Sequence, residues 1–128
     1  MAAMIFLDTH VVVWLYAGDV GRIPRAARQR IEEQDLLVSP MVTLELQYLK
    51  EAGRLKQEAH RIISELTKTV GLQVCDLAFG QILFEALAQD WTRDPFDRII
   101  VAHAAARNLP LLTKDATILA HYKRGCWE

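Results

Sequence analysis

Apolar residues occur along the chain in two patterns, which predict two kinds of element. Short apolar runs are typical of buried strands. Such runs lie at residues 4–7, 36–38, 71–75 and 110–113. A last strand is expected around residues 121–123. Apolar residues at helical spacing predict helices at residues 9–17, 25–34, 41–52, 57–68, 77–89, 95–107 and 116–119. Since strands and helices alternate, we expect a three-layer α/β/α domain with a mostly parallel central sheet of four or five short strands.

Start signals precede several of these predicted helices. Asp94 and Ser39 each stand before a proline, which is the usual order of a capping side chain and a first helical residue. Asp76 is expected to cap the helix that follows it. The helix after Asp94 has a second acid, Asp97, in its first turn. A helix start needs only one capping acid, so the second acid suggests a bound cation.

The composition is that of a folded chain with one domain. The 128 residues are 52% hydrophobic and 24% charged, which excludes a disordered protein and fits a single domain over residues 1–128. Fifteen Lys and Arg against sixteen Asp and Glu give a net charge of −1. A nucleic-acid partner would therefore need a locally basic surface.

The sequence has no recognisable signal for export or for membrane insertion. Its apolar start lacks a preceding basic region and reaches Asp8 too soon for a signal peptide. No apolar run approaches the roughly 20 residues of a membrane span. Cys75 and Cys126 have no metal-binding or redox spacing and are expected to be free thiols. We therefore expect a cytoplasmic protein without a membrane partner.

Five acidic residues stand where their side chains are expected to meet. Asp8 follows the first strand and Asp115 follows the fourth, and open parallel sheets place their ligand sites at these strand ends. Asp94 and Asp97 lie at a helix start, and Glu45 lies in an otherwise apolar helix. Carboxylates without Cys or paired His suit Mg²⁺ or Mn²⁺ rather than zinc. Such an ion keeps crowded carboxylates ionised; it would also bind a phosphate oxygen and activate water.

Each acid also has a purely structural explanation. Asp94 is a good helix cap, and Asp97 interacts favourably with the positive end of a helix dipole. Asp115 is equally a loop acid or a cap, and Glu45 is able to extend into solvent. Asp8 is the hardest to explain in this way, because an apolar strand has little structural need to end in a carboxylate. The joint placement of the acids is stronger evidence than any one of them.

Four segments of the chain provide a more specific indication: Leu7-Asp8-Thr9-His10, Ser39-Pro40-x-x-x-x-Glu45-Leu46, Arg93-Asp94-Pro95-Phe96-Asp97-Arg98 and Leu111-Leu112-Thr113-Lys114-Asp115. In this order they resemble the PIN-domain ribonucleases, and more narrowly the VapC toxins of bacterial type II toxin–antitoxin pairs. The likeness covers nearly the whole chain, and the Asp-Pro-Phe-Asp-Arg block is its specific part. The resemblance implies a PIN-like fold, catalytic metal ligands at Asp8, Glu45, Asp97 and Asp115, and Asp94 as an additional metal-site acid.

The resemblance also implies an activity and partners. The expected activity is that of a toxic endoribonuclease, dependent on Mg²⁺ or Mn²⁺, which hydrolyses RNA phosphodiester bonds in the bacterial cytoplasm. A homodimer neutralised by a cognate VapB-type antitoxin is expected, and operator DNA would be contacted only through that antitoxin.

Residues near the acids are candidates for supporting roles. The hydroxyls of Thr9 and Thr113 are candidates to orient a carboxylate or a bound water, although both residues also favour turns and caps. The nearest cations could contact RNA phosphates or simply offset the acids; they are Arg93, Arg98 and Lys114. Several aromatic residues could stack RNA bases or belong to the core; they are Trp14, Tyr16, Tyr48, Trp91 and Phe96. His10 and His103 are open between site contacts and structural roles.

Two other functions fit part of the sequence. A phosphatase with an aspartyl nucleophile also has an aspartate after an apolar strand, but it needs a second acid two residues later, where this chain has His10. A non-catalytic PIN-like binding module, acting through an antitoxin and operator DNA complex, needs the acids only as helix caps. Mn²⁺ binding and RNA cleavage by the purified chain distinguish the nuclease from this module.

Overall fold

Strands and helices alternate along residues 3–128, the part of the chain that the computed structural model describes. The strands are β1 Met4–Leu7, β2 Asp35–Val38, β3 Gln73–Val74, β4 Leu111–Leu112 and β5 Gly125–Cys126. The helices are α1 Thr9–Ala17, α2 Arg25–Glu33, α3 Pro40–Glu51, α4 Ala59–Val70, α5 Phe79–Leu87, α6 Pro95–Ala106 and α7 Ala116–His121, with a 3-10 turn at Val20–Arg22. The predicted alternation is confirmed.

The strands form one parallel sheet in the order β3-β2-β1-β4-β5. In the central strand, Ile5, Phe6 and Leu7 have no exposed surface. Because successive strand residues point to opposite faces of a sheet, both faces of β1 must be covered by helices. The predicted three-layer α/β/α architecture is therefore confirmed.

The strand order reverses direction beside β1, and this reversal creates the crevice in which a site is expected. The chain proceeds from β1 outward to β2 and β3, and then returns to place β4 and β5 on the other side of β1. Ligands of open parallel sheets bind outside the carboxyl ends of the strands at such a reversal. The N–H of Asp8 donates to the carbonyl of Leu112 at 3.0 Å, so strand pairing continues up to the first acid of the site.

Helix caps agree with the sequence at two of three predicted positions. Asp94 is the N-cap of α6, with Pro95 in its first turn, and Ser39 is the N-cap of α3. The expectation that Asp76 caps α5 is wrong: the backbone is still non-helical at Ala78, where ψ is 133°, and the helix begins only at Phe79.

The last strand lies further along the chain than predicted. Helix α7 runs to His121, so residues 121–123 do not form a strand, and β5 pairs with β4 only at Gly125 and Cys126. The hydroxyl of Tyr122 donates to the carbonyl of Leu109 at 2.6 Å, which anchors this segment to the loop before β4. The remaining elements begin and end close to their predicted positions.

Helix packing connects the elements that follow the strands. Helix α3 packs against α1, α4 and α6, and α6 also packs against α5. Both cysteines, Cys75 and Cys126, are free thiols as predicted. None of the helices formed by residues 3–128 combines the length and the apolarity needed to cross a bilayer.

Stability is expected to depend on the buried strands next to the crevice. Leu112 in β4 has no exposed surface, whereas Leu44 in α3 is 42% exposed. Leu112→Ala should lower the free energy of unfolding by about 2–5 kcal/mol, because it removes apolar contacts and leaves a cavity. Leu44→Ala removes the same atoms from a solvated position and should cost less than about 1 kcal/mol. Urea unfolding of both variants measures the difference; equal losses would contradict this account of the core.

Candidate functional site

A cavity of about 350 Å³ opens at the carboxyl ends of β1 and β4. It is lined by Asp8, His10, Trp14, Glu45, Asp97, Lys114 and Asp115. Four of the five acids predicted from the sequence for a metal site are among these residues, and the fifth, Asp94, is not. The four acids come from the end of β1, from α3, from the first turn of α6 and from the residue before α7, so distant segments of the chain converge here.

Asp8 is held on both of its carboxylate oxygens. It is only 7% exposed, and Oδ1 accepts from the N–H of Thr9 at 2.8 Å while Oδ2 accepts from the hydroxyl of Thr113 at 2.6 Å. The oxygen of Thr113 in turn accepts from the N–H of Asp115 at 3.0 Å. Asp8 also serves as the N-cap of α1. The view that its carboxylate has little structural use is therefore wrong.

Glu45 is half-buried in α3 and points toward α1. Its Oε1 accepts a hydrogen bond from the hydroxyl of Thr9. Thr9, itself fully buried, thus donates its backbone N–H to Asp8 and its hydroxyl to Glu45. This one residue orients two of the acids.

Asp97 and Asp115 are less constrained. Asp115 is the N-cap of α7, and its Oδ1 accepts from the N–H groups of Thr117 and Ile118 at 2.8 and 3.0 Å, so its second oxygen remains for the cavity. Asp97 is half-buried, and among residues 3–128 no donor forms a hydrogen bond to its carboxylate. Of the four acids, Asp97 has the most unused hydrogen-bonding capacity.

The crowding of these acids changes their ionisation. Burial, together with the charges of the other acids, raises the pKa of Asp97 to about 7; the charges are those of Asp94, Asp8, Asp115 and Glu45. Burial also raises the pKa of Asp8 and of Glu45, even though hydrogen bonds from the neighbouring threonines act against it. The cavity therefore opposes full ionisation of its own acids.

The donor set fits a hard divalent cation. The acids offer carboxylate oxygens, which Mg²⁺ and Mn²⁺ prefer, and a cation would relieve the repulsion that raises the pKa of Asp97. Within residues 3–128, however, no three His, Cys, Asp or Glu side chains are already arranged as a ligand set. The acids line one cavity without forming a closed cage.

The structure separates the remaining predicted residues into those at the cavity and those away from it. Lys114 is exposed and lines the cavity. Asp94 is exposed, and its Oδ1 accepts from the N–H groups of Phe96 and Asp97 at 2.8 and 3.2 Å. It acts as a cap and does not line the cavity.

The two predicted arginines point elsewhere. The Nε of Arg98 donates to the carbonyl of Ala86 at 2.7 Å, and its terminal nitrogens donate to the carbonyls of Leu87 and Thr92. Arg98 therefore binds carbonyls at the end of α5 and in the loop after it. Arg93 donates to the carbonyl of Asp90 at 2.8 Å. Arg98 thereby joins the first turn of α6 to the end of α5, whereas the hydrogen bond of Arg93 stays within the loop before α6.

The sequence favoured core or structural roles for His10 and Trp14 over site contacts, but both residues line the cavity. They stand four residues apart in α1, so they share one face of that helix, and Asp8 caps the same helix. This spacing after Asp8 was the available signal. The aromatic character of Trp14 in an apolar run favoured a core position instead.

His103 has a structural position. It is 2% exposed, and its Nδ1 lies 2.9 Å from the hydroxyl of Ser39. Burial lowers its pKa, which favours the neutral ring. Because Ser39 caps α3 and His103 belongs to α6, this contact joins the helices that contain Glu45 and Asp97.

Comparisons with known proteins agree on one family. The sequence model of the PIN domain matches residues 5–124. The chain is 33% identical to "Ribonuclease VapC22" of Mycobacterium tuberculosis over 124 residues, covering 91% of each chain.

Solved structures with the same fold include toxin–antitoxin complexes. A toxin–antitoxin complex from Klebsiella pneumoniae has a TM-score of 0.66 at 20% identity, covering 95% of each chain. VapBC2 from Rickettsia felis, bound to a DNA fragment of its promoter, has a TM-score of 0.62 at 18% identity, covering 91% of this chain and 92% of that one. At these identities the matches show the fold alone.

The raised pKa of Asp97 predicts that stability without divalent ions falls as the pH rises from about 4 to 7. The unfolded carboxyl ionises near its ordinary value of 3.8 and the folded one near 7, so in this window the folded chain binds the extra proton and deprotonation favours unfolding. Asp97→Asn should flatten this dependence and stabilise the chain at pH 8 by about 1–3 kcal/mol, since solvent screening reduces the full effect.

Urea unfolding in EDTA between pH 4.5 and 8.5 measures this effect. Asp76→Asn, at an exposed carboxyl outside the cavity, is the matched control and should follow the wild-type profile. An Asp97→Asn chain with the wild-type pH dependence would show that burial and repulsion at Asp97 do not control it.

Proposed function

Because the chain belongs to the PIN domain family and to its VapC-type members, we propose that it is a toxic, metal-dependent endoribonuclease of a VapBC-type toxin–antitoxin system. The main supporting observation is the cavity shared by Asp8, Glu45, Asp97 and Asp115 at the reversal of the sheet. The relative from Mycobacterium tuberculosis is named a ribonuclease. We further propose that residues 1–128 act as one PIN domain in the bacterial cytoplasm.

The four acids are the proposed catalytic ligands of one or two Mg²⁺ or Mn²⁺ ions. When bound, the ion supplies Lewis acidity: it offsets charge on the cleaved phosphate and lowers the pKa of water. The chain contributes the carboxylate oxygens, and the raised pKa values of Asp8, Glu45 and Asp97 mean that these acids gain from a cation at neutral pH.

The neighbouring residues have positioning roles in this proposal. Thr9 and Thr113 keep the carboxylates of Asp8 and Glu45 aimed at the cavity through their hydrogen bonds. Lys114 supplies a positive charge at the cavity wall, where it attracts an RNA phosphate. Asp94 was expected as a further ligand; since it is exposed and does not line the cavity, we propose that it acts by capping α6 and so fixing the position of Asp97.

A cognate antitoxin of the VapB type is the proposed inhibitor. Three related folds are known from toxin–antitoxin complexes of Rickettsia felis, Klebsiella pneumoniae and Salmonella typhimurium, and two of these are bound to DNA. In this proposal the antitoxin keeps RNA from the carboxylate cavity, and the toxin reaches operator DNA only through the antitoxin.

Cleavage is expected to require Asp97 but not the carboxyl charge of Asp94. Asp97→Asn replaces a carboxylate that is available as a metal ligand by a neutral amide. It should lower Mn²⁺-dependent cleavage of total RNA by about 100-fold or more, and it should weaken Mn²⁺ binding measured by calorimetry. Asp94→Asn is the matched control, because Asn is an equally good N-cap. It should stay within about tenfold of the wild-type rate.

The outcome also decides between the nuclease and the binding module. Full activity in Asp97→Asn would exclude a catalytic role for Asp97. A purified chain that binds no Mn²⁺ and cleaves no RNA without its partner would favour the non-catalytic module.

The proposed homodimer has a candidate surface on α5. Apolar side chains on this helix are unusually exposed: Phe79 by 59%, Leu83 by 43%, Phe84 by 77% and Leu87 by 71%. Contiguous apolar groups of this kind are typical of protein interfaces. We propose that a second copy of the chain covers this face, since the resemblance to VapC toxins implies a dimer.

Phe84→Asp is expected to weaken the dimer at least tenfold, because it places a charge in the centre of this apolar face. Sedimentation of the purified toxin over a range of concentrations measures the change. Val20→Asp alters another exposed apolar residue, 41% exposed in the turn after α1, and should leave the dimer intact. Wild-type sedimentation of Phe84→Asp would exclude α5 as the interface.

A further inference from the structure

Trp14 is a large aromatic side chain in the cavity wall to which the metal chemistry assigns no role. It is half-buried in α1 and lines the same cavity as the four acids. Its ring centroid lies 6.0 Å from that of His10 and 5.9 Å from that of Trp127, with tilted planes. The ring is therefore supported by other aromatic groups while its cavity side is accessible.

Two cations flank this ring. The Nζ of Lys114 lies 5.8 Å from the ring centroid, and the guanidinium carbon of Arg22 lies 5.9 Å from it. Both distances are near the outer limit of cation–π contacts, and both side chains are exposed. Lys114 is thus able to move from the ring toward an incoming anion. Arg22 also donates its Nε to Oδ2 of Asp19 at 2.8 Å, so it would exchange this exposed carboxylate for a phosphate.

The combination of an aromatic face and flanking cations is suited to a nucleic-acid strand. The chain has a net charge of −1 and an acidic cavity, so a polyanion needs local positive charge to approach. Proteins that bind single strands combine cations, which contact the backbone, with aromatic rings, on which unpaired bases stack. A base inside a duplex has no free face to offer.

Other aromatic residues of the chain are less suitable. The ring of Trp91 is stacked on His121 at 5.0 Å with an angle of 5° between their planes. Tyr48 meets Phe96 edge to face at 5.2 Å. Neither Trp91 nor Tyr48 lines the cavity. Trp14 is therefore the best-placed aromatic side chain for a base next to the acids.

We propose that Trp14 stacks an unpaired base of the RNA beside the cleaved phosphate, while Lys114 and Arg22 contact neighbouring phosphates. This inference rests on the proposed ribonuclease function and names the side chains that hold the RNA strand beside the acids. The competing explanation is that Trp14 only packs against Trp127 and the core.

Binding measured in EDTA tests the stacking separately from cleavage. The probes are a fluorescein-labelled oligoadenylate of about 12 nucleotides and the same strand paired with oligouridylate, and the readout is fluorescence anisotropy. Trp14→Leu should weaken binding of the single strand about tenfold or more, since base stacking contributes on this scale. Trp14→Phe keeps an aromatic face and should stay within about threefold of the wild-type chain.

Two comparisons make the result specific. Trp91→Leu removes an indole outside the cavity and should bind the single strand like the wild-type chain. The duplex should bind wild-type and Trp14→Leu chains equally, because it offers no base to stack. A Trp14→Leu chain that binds the single strand as the wild type does, or a Trp91→Leu chain with an equal loss, would overturn the proposal.

A second measurement applies if Trp14→Leu fails to fold. The chain has three tryptophans, so Trp91→Phe combined with Trp127→Phe leaves Trp14 as the only indole. Quenching of its emission by the oligoadenylate supports stacking, and unchanged emission at saturating oligoadenylate overturns it.

The two proposals can fail separately. Loss of cleavage in Asp97→Asn with wild-type binding by Trp14→Leu would keep the nuclease and remove the stacking role. Trp14-dependent binding together with full cleavage by Asp97→Asn would keep the stacking role and remove the proposed catalytic site.

Discussion

Repulsion among carboxylates in a half-buried cavity is the constraint on which the site depends. Asp8, Glu45, Asp97 and Asp115 line one cavity, where burial and mutual charge raise the pKa of Asp97 to about 7. Left to themselves, these side chains would separate or take up protons. Because the fold holds them close together, their repulsion destabilises the ionised site. A bound cation would lower this repulsion, so the site favours positive charge.

The fold stabilises the crowded acids through hydrogen bonds from neighbouring residues. Thr9 and Thr113 hold the buried acid through both of its oxygens, and Thr9 also holds Glu45. Three acids, Asp8, Asp94 and Asp115, are helix caps, so their negative charge is partly stabilised by the positive ends of helices. Structural and functional explanations for these acids are therefore not alternatives. One carboxylate oxygen accepts the cap hydrogen bond, and at Asp115 the other oxygen remains for the cavity.

Much of the site was predictable because the relevant rule is local. An acid directly after a strand of an open parallel sheet lies at the carboxyl ends of the strands, where such sheets place their ligand sites. Arg98 and Trp14 show where this rule ends. Arg98 lies next to Asp97 in sequence but turns to the carbonyls of Ala86 and Leu87. The sequence favoured a core position for Trp14 over base stacking, yet its side chain lines the cavity.

The sequence by itself determined the alternation of elements, the caps at Ser39 and Asp94, and the acids at the ends of β1 and β4, because these follow from hydrophobic period and from backbone chemistry within a few residues. Only the tertiary structure decided the strand order, the place of β5 and the start of α5, since those depend on which distant segments pair and pack. It also decided the partners of individual side chains. The hydrogen bond from Thr113 to Asp8 joins residues at opposite ends of the chain, and no local pattern encodes a contact that exists only once β1 and β4 lie side by side.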